Sequence, residues 1–533
     1  MIKIKNICCL CVSFILIGCA ATSASSTRIK PISPYDYGLS SAKTRIDTYW
    51  VLYNAQKAAV ETGTSVNYKG IERLEIEIPN DAKSIPLSSV NDFKGMELVV
   101  INQHKDFVLF VREPKAESIS IDKKDIDRGI FSKYETLRKG EHILKITDGN
   151  LWVDKRKGYS YGHTRKDVLL IKNGRAVNKT VYPYDNEESK PSYSLYESSE
   201  PLSFENLQFK RAENSTYKTF LFTIQGTNNV KVSNVRTETP PSDLVSDYLM
   251  MIYDCTNVTF DNISIDGTYS RVDYSGYGIS LNNVWNYIAK HLVCKANWGI
   301  FGNNNVNTAY LENCDINRFD VHCYGKDMRF NNVRFNKLYN QFSSIYGNII
   351  FEHCRFEQFV PILYESAYNA YTPHDIYFKD CEVTLSRDHN YLITTGHITS
   401  ARNSREPVAE KCFPNVVIKD MTVNVPTGVK DMVVFRVGAD SEREVKLGYI
   451  NNITVDGMKF VCQGTKQNVN LKISTVDVLT ANAINIELKD IETVTKDDMK
   501  TNDTSNNIIL GFNRKNQNNR VITKKINQFK INE

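Results

Sequence analysis

The chain has 533 residues and a formal net charge of +5, with 66 Lys and Arg against 61 Asp and Glu. It has no basic patch with interleaved aromatic residues, which argues against nucleic acid as a partner. The length alone would suggest about two or three ordinary domains, unless the chain is built from a repeated unit.

The first 47 residues have the pattern of an export signal and a linker. A pair of lysines precedes an apolar run over 7–17, which is too short to cross a bilayer as a stable anchor. The run ends in LIGC, which resembles the bacterial lipobox, whose cysteine carries lipid and becomes the new N-terminus. We predict a signal peptide over 1–18, lipidation of Cys19, a linker over 19–47 and attachment to the cell envelope through lipid alone. An ordinary signal peptide is the alternative.

A short amphipathic helix is predicted over 48–62, in TYWVLYNAQKAAVET. Such a helix would cover the open end of a following sheet, whose exposed strand edge would otherwise invite pairing. Strands are predicted in LEIEIP, MELVVINQ and FVLFVRE, and a loop or strand excursion over 159–201. His163 and Arg165 lie in this excursion and could reach over a groove, but a surface loop is the simpler interpretation.

A nine-residue pattern recurs from residue 229 onward. Apolar residues alternate with polar ones on each side of a central Asn, Asp or Gly, which predicts short strands with one buried face. The clearest copies are NVKVSNVRT at 229, NVTFDNISI at 257, DMRFNNVRF at 327, NIIFEHCRF at 348, DIYFKDCEV at 375, NVVIKDMTV at 415 and NITVDGMKF at 452. Spacing of this kind is typical of a β-solenoid with insertions.

We therefore predict an all-β fold, a single-stranded right-handed parallel β-helix similar to pectate lyase, over 48–495 with insertions. The polar stretch 496–533 is predicted as a C-terminal cap or tail with little core. Cys314, Cys354 and Cys381 fall at one repeated position, so we expect them to be free thiols packed in the interior. The eight cysteines that follow Cys19 show neither a CxxC pair nor zinc-ligand spacing.

Residues 313–327, NCDINRFDVHCYGKD, contain a row of polar side chains that suggests a functional site. In a strand, Arg318, Asp320, His322 and Tyr324 share one face, because successive side chains point to opposite faces. A surface ion pair beside a solvated histidine is the plain interpretation of that row. The functional interpretation is an outward-facing groove that binds a ligand.

Aromatic residues before recurring glycines favour a binding groove. Aligning YSGYGI, NWGIFG, VHCYG and SSIYG places Tyr277, Phe301, Tyr324 and Tyr346 in one column. Aromatic faces of this kind stack on sugar rings, although exposed aromatics also occur singly. The predicted substrate-binding residues are Arg271, Tyr277, Phe301, Tyr346 and Glu365.

The segment around 257–360 resembles β-helical polysaccharide lyases of gut Bacteroidetes, in particular the glycosaminoglycan lyases of polysaccharide lyase family 29. The resemblance is carried by Trp298-Gly299 with Gly302-Asn303, and by Arg318-Phe319-Asp320 with His322. It implies a surface enzyme that cleaves a uronic-acid glycan, such as chondroitin sulfate or hyaluronan, by β-elimination. The implied partner is an acidic polysaccharide, and we expect a monomer.

β-Elimination requires a cation at the uronate carboxylate, a base for the C5 proton and an acid for the leaving oxygen. Arg318 is a permanent cation that can grip a carboxylate, and His322 titrates near neutrality. We predict His322 as the base, Asp320 as the group that orients it, and Tyr324 as the acid. The sequence leaves open the reverse assignment, with Tyr324 as base.

Two other functions remain open from the sequence. A β-helical glycoside hydrolase would need two facing carboxylates, with Asp320 paired with Glu365 or Asp273. A non-catalytic glycan-binding lipoprotein would need only the aromatic column and a polar groove. No cofactor or metal is predicted, since the acidic residues lack the regular loop spacing of a calcium (Ca²⁺) site.

Overall fold

The structure is a computed structural model of the chain. It describes residues 30–153, 163–181, 183–187, 189–197, 200–239, 248–267, 277–294, 299–322, 324–336, 339–342, 345–357, 361–364, 375–386, 390–395, 415–436, 452–463, 467–474, 485–495, 506–510, 520–526 and 528–532. Of the predicted residues, Cys19, Arg271, Asp273, Trp298 and Glu365 lie outside these ranges, as does the side chain of His163.

The chain forms a right-handed parallel β-helix, as predicted. Its larger sheet contains 21 strands and its smaller sheet eight, and every described pairing within them is parallel. The larger sheet comprises β1 (Arg73–Glu77), β2 (Ile85–Pro86), β3 (Val90–Ile101), β4 (Phe107–Arg112), β10 (Leu202–Arg211), β11 (Thr219–Gln225), β12 (Asn228–Thr239), β13 (Tyr248–Tyr253), β14 (Thr256–Gly267), β15 (Tyr277–Cys294), β16 (Gly299–Phe301), β17 (Asn304–Ile316), β19 (Gly325–Phe335), β21 (Ile345–Glu352), β22 (Arg355–Phe356), β24 (Asp375–Lys379), β25 (Glu382–Thr384), β27 (Asn415–Val425), β29 (Asn452–Cys462), β31 (Asn485–Thr495) and β33 (Arg520–Lys524). The smaller sheet comprises β18 (Asp320–Val321), β20 (Asn340–Phe342), β23 (Ile362–Tyr364), β26 (Tyr391–Thr395), β28 (Asp431–Arg436), β30 (Asn470–Ser474), β32 (Asn506–Ile509) and β34 (Phe529–Asn532).

The central polar residue of the repeat is the corner of each coil. Asn234 and Asn262, which are aligned by the β12–β14 register, have φ of 53° and 55°. Asparagine tolerates this left-handed conformation because its short side chain bonds locally. Here the amide of Asn262 donates to Asn234, and that of Asn234 donates to Asn206, at 2.8 and 2.9 Å. The strands therefore bend in register from coil to coil.

The apolar positions of the repeat fill one continuous core that runs the length of the solenoid. Phe330, Phe351 and Phe378 stack along it, with ring centroids 4.8 and 5.2 Å apart. Cys314, Cys354 and Cys381 are buried free thiols, which confirms the packing interpretation. Burial raises the pKa of the Cys314 thiol to about 11.

An N-terminal cap covers the first coil. Short 3₁₀ turns at Pro34–Tyr37 and Leu39–Ser41 lead into helix α1, Arg45–Thr62. Thr44 and Asp47 form a capping box, which satisfies backbone N–H groups at the helix start. The helix packs against β1 and β2, as predicted for a capping helix. No helix in the described ranges has the length and apolar character needed to cross a bilayer.

The parallel pairing continues beyond the predicted boundary at 495. In the segment expected to be a polar cap or tail, β33 pairs with β31 in the larger sheet. β32 and β34 likewise extend the smaller sheet, and Ile508 and Phe529 join the core.

The excursion is larger than the sequence predicted and forms a separate antiparallel sheet. It contains β5 (Ala116–Ser118), β6 (Glu141–Val153), β7 (His163–Lys172), β8 (Arg175–Ala176) and β9 (Pro191–Glu197), with helix α2 (Lys123–Arg128) and a 3₁₀ turn at Glu135–Leu137. One face of the sheet builds a small core of its own around Phe131, Leu169 and Tyr184. The opposite face lies against the solenoid, where Val168 and Tyr196 pack with Trp285.

Candidate functional site

Arg318 and Asp320 form a fully buried ion pair at the start of β18. The Arg318 Nε donates to Asp320 Oδ1 at 2.8 Å, its Nη2 bridges to Oδ2, and both side chains are 0% exposed. Arg318, just before β18, and Asp320, on β18, lie on the same side of the chain, as predicted, while Phe319 and Val321 enter the core. The structure therefore differs from the sequence prediction, in which the charged residues face solvent.

Residues of the next coil cover the Arg318–Asp320 pair. The Tyr339 ring lies 4.7 Å from the Arg318 guanidinium, and Gln341 Oε1 accepts a hydrogen bond from Arg318 at 3.2 Å. The Gln341 N–H donates to Asp320 Oδ1, also at 3.2 Å. These contacts come from residues far along the chain, so the local alternation of polar and apolar residues cannot reveal them.

Electrostatics keep the Asp320 carboxylate ionised in this buried position. Burial by itself raises the pKa of Asp320, but the charge of Arg318 and the contact with His322 outweigh that effect. The pKa of Asp320 is consequently below its ordinary value. The same Asp320 charge outweighs desolvation at Arg318 and raises the pKa of the guanidinium.

His322 connects the buried pair to the surface. Its Nε2 lies 3.6 Å from Asp320 Oδ2, and its side chain is 16% exposed. The Tyr277 hydroxyl lies 3.1 Å from the same Nε2, with the two rings edge to face. The residues thus form a chain of contacts from Arg318 through Asp320 and His322 to Tyr277.

Tyr277 is held by residues of neighbouring coils. Its ring stacks on Tyr248 with centroids 6.0 Å apart, and it covers the backbone of Gly302. A Cβ at Gly302 would lie 2.4 Å from the Tyr277 ring, so only glycine leaves room for this arrangement. The recurring glycines of the sequence predict Tyr277 as a ring in a groove, but not as the partner of a histidine 45 residues away.

Tyr324 does not join this chain of contacts. It is 2% exposed, and its hydroxyl accepts a hydrogen bond of 2.5 Å from the backbone N–H of Lys166 in the antiparallel sheet. The residue therefore helps to dock that sheet onto the solenoid. Its predicted position in an open groove is not what the structure shows, because β7 covers it.

Two other predicted residues occupy different surroundings from those expected. Phe301 is paired in register with Ile279, not Tyr277, and packs against Phe319 in the core with ring centroids 4.9 Å apart. It is therefore a core residue and cannot stack on a ligand. Tyr346 is aligned with Lys326 and is mostly buried, so it does not line an open groove.

Arg165 belongs to the interior of the antiparallel sheet. Its guanidinium lies 3.6 Å from the centre of the Tyr184 ring and 3.4 Å from Asp167. Burial raises the pKa of Asp167 despite that contact. The interpretation of Arg165 as an exposed loop residue, or as one reaching over a groove, does not fit this position.

A polar network fixes the antiparallel sheet beside the site. Asp254 Oδ2 accepts hydrogen bonds from Lys145 at 2.7 Å and from Tyr196 at 3.0 Å, both on that sheet. The Asn283 amide donates to Asp254 Oδ1 at 2.8 Å and to the Asp167 carbonyl at 3.2 Å. No cluster of three potential metal-ligating side chains occurs among the described residues.

The chain is similar to several solved structures at low sequence identity. The chain resembles the tailspike gp61 of Pseudomonas phage phi297 with a TM-score of 0.50 and 11% identity, over 87% of this chain and 80% of that one. The gp54 tailspike of Acinetobacter baumannii bacteriophage AP22, solved with a capsular saccharide, gives 0.45 and 11%, over 84% and 78%. The Streptococcus pneumoniae adhesin PfbA gives 0.31 and 11%, over 94% and 93%.

The likeness to the phi297 tailspike concerns the fold alone. No family model and no curated protein matches the sequence. The fold alone does not determine the function, which depends on the residues of the site.

Proposed function

We propose that the protein is a polysaccharide lyase that cleaves a uronic-acid glycan by β-elimination. The observation that carries this proposal is the contact between the Tyr277 hydroxyl and His322 Nε2, at 3.1 Å, at the exposed end of the buried pair. A phenol and an imidazole in hydrogen-bond contact can transfer a proton between them. Both groups can also exchange protons with a substrate.

The proposed reaction begins with the neutral imidazole, whose Nε2 accepts the Tyr277 hydroxyl proton. The Tyr277 oxygen then removes the C5 proton of the uronate, and the electron pair moves towards the carboxylate. As the double bond between C4 and C5 forms, the C4–O4 bond breaks. The departing O4 takes up a proton from the same pair, so the reaction consumes no water.

Asp320 and Arg318 support the Tyr277–His322 pair electrostatically from its buried side. The carboxylate 3.6 Å from His322 stabilises the imidazolium that forms, and the imidazolium in turn faces the charge developing on the uronate. Arg318 keeps Asp320 ionised, as the lowered pKa of Asp320 indicates. Arg318 is fully buried against Asp320, so we assign it this supporting role and not direct contact with the substrate.

We propose a glycosaminoglycan, such as chondroitin sulfate or hyaluronan, as the substrate, from the resemblance of the 298–322 segment. We further propose that Cys19 carries lipid and holds the enzyme on the cell envelope. The Asp320 carboxylate lies 3.6 Å from His322 Nε2. A hydrolase would require a second carboxylate opposite the scissile bond.

The test is incubation of the protein with chondroitin sulfate, hyaluronan, heparin, pectin and alginate. We expect at least one uronate polymer to gain the ultraviolet absorbance of a 4,5-unsaturated product. New reducing ends without that absorbance would indicate hydrolysis and overturn the lyase proposal. Binding of a glycan without either signal would indicate a non-catalytic glycan-binding protein.

A further inference from the structure

Arg436 lies on the outer side of the smaller sheet, in the same row as the buried carboxylate of the site. Phe435 enters the core, so the side chain of the next residue, Arg436, points away from it and is partly exposed. The backbone pairings of β18, β20, β23, β26 and β28 form one row of five residues, Asp320, Gln341, Leu363, Thr394 and Arg436. This row leads along the solenoid from the contact between Asp320 and His322 to Arg436.

The guanidinium of Arg436 has an aromatic partner and no carboxylate partner. It lies 4.4 Å from the centre of the Tyr391 ring on β26, and it forms no ion pair with a residue in the described ranges. The outward arginines of β12, β19 and β22 in the larger sheet differ, because each contacts a carboxylate at 2.6–2.9 Å; they are Arg236, Arg329, Arg334 and Arg355. Arg436 therefore keeps its charge and its planar set of N–H donors for a ligand, and such a set matches the two oxygens of a carboxylate.

We infer that Arg436 and Tyr391, called the distal subsite below, bind the carboxylate of a uronate about four sugars away from the one at the Tyr277–His322 pair. The inference rests on the proposed lyase function. It specifies the substrate as an extended chain that has a uronic acid at every second sugar and lies along the smaller sheet.

The spacing of the row matches the repeat of such a polymer. Four strand spacings of about 4.8 Å separate Asp320 from Arg436, which makes about 19 Å. One pyranose ring with its bridging oxygen has nearly the length of one strand spacing. Because a glycosaminoglycan alternates a uronic acid with an amino sugar, an even number of spacings leads from one uronate to another. A uronate at His322 therefore places a second uronate carboxylate beside Arg436.

The distal subsite is too far from the reacting atoms to affect the chemical step. Its contact with the polymer is equally strong in the ground state and in the transition state, so its loss weakens binding and raises KM while kcat is unchanged. The effect also depends on the length of the substrate. A tetrasaccharide bound across the scissile bond ends before Arg436, whereas a decasaccharide can reach it.

The test compares the parent, Arg436→Gln and Arg436→Lys with a matched control, Arg355→Gln, which removes an exposed arginine paired with Glu382 on the larger sheet. Calorimetry measures the dissociation constants of decasaccharides of hyaluronan, unsulfated chondroitin and chondroitin sulfate. These measurements use proteins that also carry Tyr277→Phe, so that the ligand is not consumed. The ultraviolet absorbance of the unsaturated product gives kcat and KM for decasaccharides and tetrasaccharides, with Tyr277 intact.

We expect Arg436→Gln to bind decasaccharides about tenfold more weakly, because a charge-assisted hydrogen bond is lost. Its KM for decasaccharides should rise by the same factor, with kcat and the cleavage of tetrasaccharides unchanged. Arg436→Lys should recover only part of the affinity, because an ammonium keeps the charge but not the planar set of donors. Arg355→Gln should behave as the parent in every measurement.

Equal dissociation constants for the parent and Arg436→Gln would overturn the inference, as would the absence of binding by the parent. A loss confined to chondroitin sulfate would overturn it too, and would assign the distal subsite to a sulfate group. Weaker binding by Arg436→Gln in a protein that forms no unsaturated product would support the distal subsite and contradict the proposed reaction. Failure of the reaction is therefore distinguishable from failure of the inference.

Discussion

Replacing Asp320 by Asn should destabilise the protein strongly, because it leaves the Arg318 cation buried without its counter-ion. Both side chains are 0% exposed, and the carboxylate accepts hydrogen bonds from the guanidinium and from the Gln341 N–H. An asparagine retains the shape and one acceptor oxygen but not the charge. The energetic loss is therefore mainly electrostatic.

The magnitude follows from the burial of the pair. Breaking a buried ion pair by removing one partner costs about 3–5 kcal/mol, because the remaining charge is uncompensated. The matched control is Asp315→Asn, since Asp315 pairs with Arg334 at 2.9 Å on the surface with side chains 38% and 45% exposed. An exposed pair is worth only about 0–1 kcal/mol.

The assay is urea denaturation at neutral pH, followed by circular dichroism, with the free energy of unfolding compared between the variants. A value for Asp320→Asn within about 1 kcal/mol of the parent would refute the assignment of a buried ion pair. The double replacement Arg318→Met with Asp320→Leu should recover much of the lost stability, because it removes both charges.

The pH dependence of the free energy of unfolding tests the buried ion pair independently. The pKa of Asp320 is lowered in the folded protein, so the unfolded chain binds its proton more readily. Its contribution to stability is therefore complete above the unfolded value of about 3.9 and is lost as the pH falls through the lower folded value. The parent should lose this contribution in acid, whereas Asp320→Asn should show no such component.

Three further changes test separate parts of the structure. Gly302→Ala should displace the Tyr277 ring and lower kcat about 10²-fold, with little change in circular dichroism. An unchanged kcat would contradict the close contact between the Gly302 backbone and the Tyr277 ring. Tyr324→Phe should lower the free energy of unfolding by about 1–3 kcal/mol, because the Lys166 N–H loses its acceptor, and kcat should stay within about twofold of the parent value. A large loss of kcat would indicate that Tyr324 takes part in the reaction. Cys19→Ala should move the protein out of the membrane fraction of cells, and persistence there would count against lipidation.

The sequence predicted the parallel β-helix because its signal is local and repeated. Alternation within each copy fixes the buried face, and the central polar residue, such as Asn234 or Asn262, fixes the corner. Cys314 is at an interior position of the same pattern, so its burial could be predicted without any knowledge of its neighbours. Each of these conclusions depends only on position within one repeat.

The site was predicted only in part because its contacts join different coils. The shared face of Arg318, Asp320 and His322 follows from strand alternation, but their burial depends on residues of the next coil. The pairing of Tyr277 with His322 depends on how many residues each turn contains. Turn lengths vary between coils, which is why the predicted column aligned Phe301 with Tyr277 and missed its pairing with Ile279.

The antiparallel sheet was the least predictable element. Its strands lie between two parts of one solenoid and pair over long separations, as β5 does with β9. The hydrogen bond from Lys166 to Tyr324 spans 158 residues, and nothing local in VHCYG indicates it. Placing Tyr324 in an open groove was therefore the natural but incorrect consequence of considering one strand alone.

The most direct test of the proposed reaction compares the parent, Tyr277→Phe and Tyr310→Phe on a uronate polymer that the parent cleaves. Each substitution removes one hydroxyl, but Tyr310 lies on the outer face of β17, where its ring contacts Arg329. We predict that Tyr277→Phe lowers kcat for the unsaturated product about 10²–10⁴-fold with KM nearly unchanged, and that Tyr310→Phe behaves as the parent. Parent-like kcat in a folded Tyr277→Phe protein would contradict the assignment of proton transfer to the Tyr277–His322 pair.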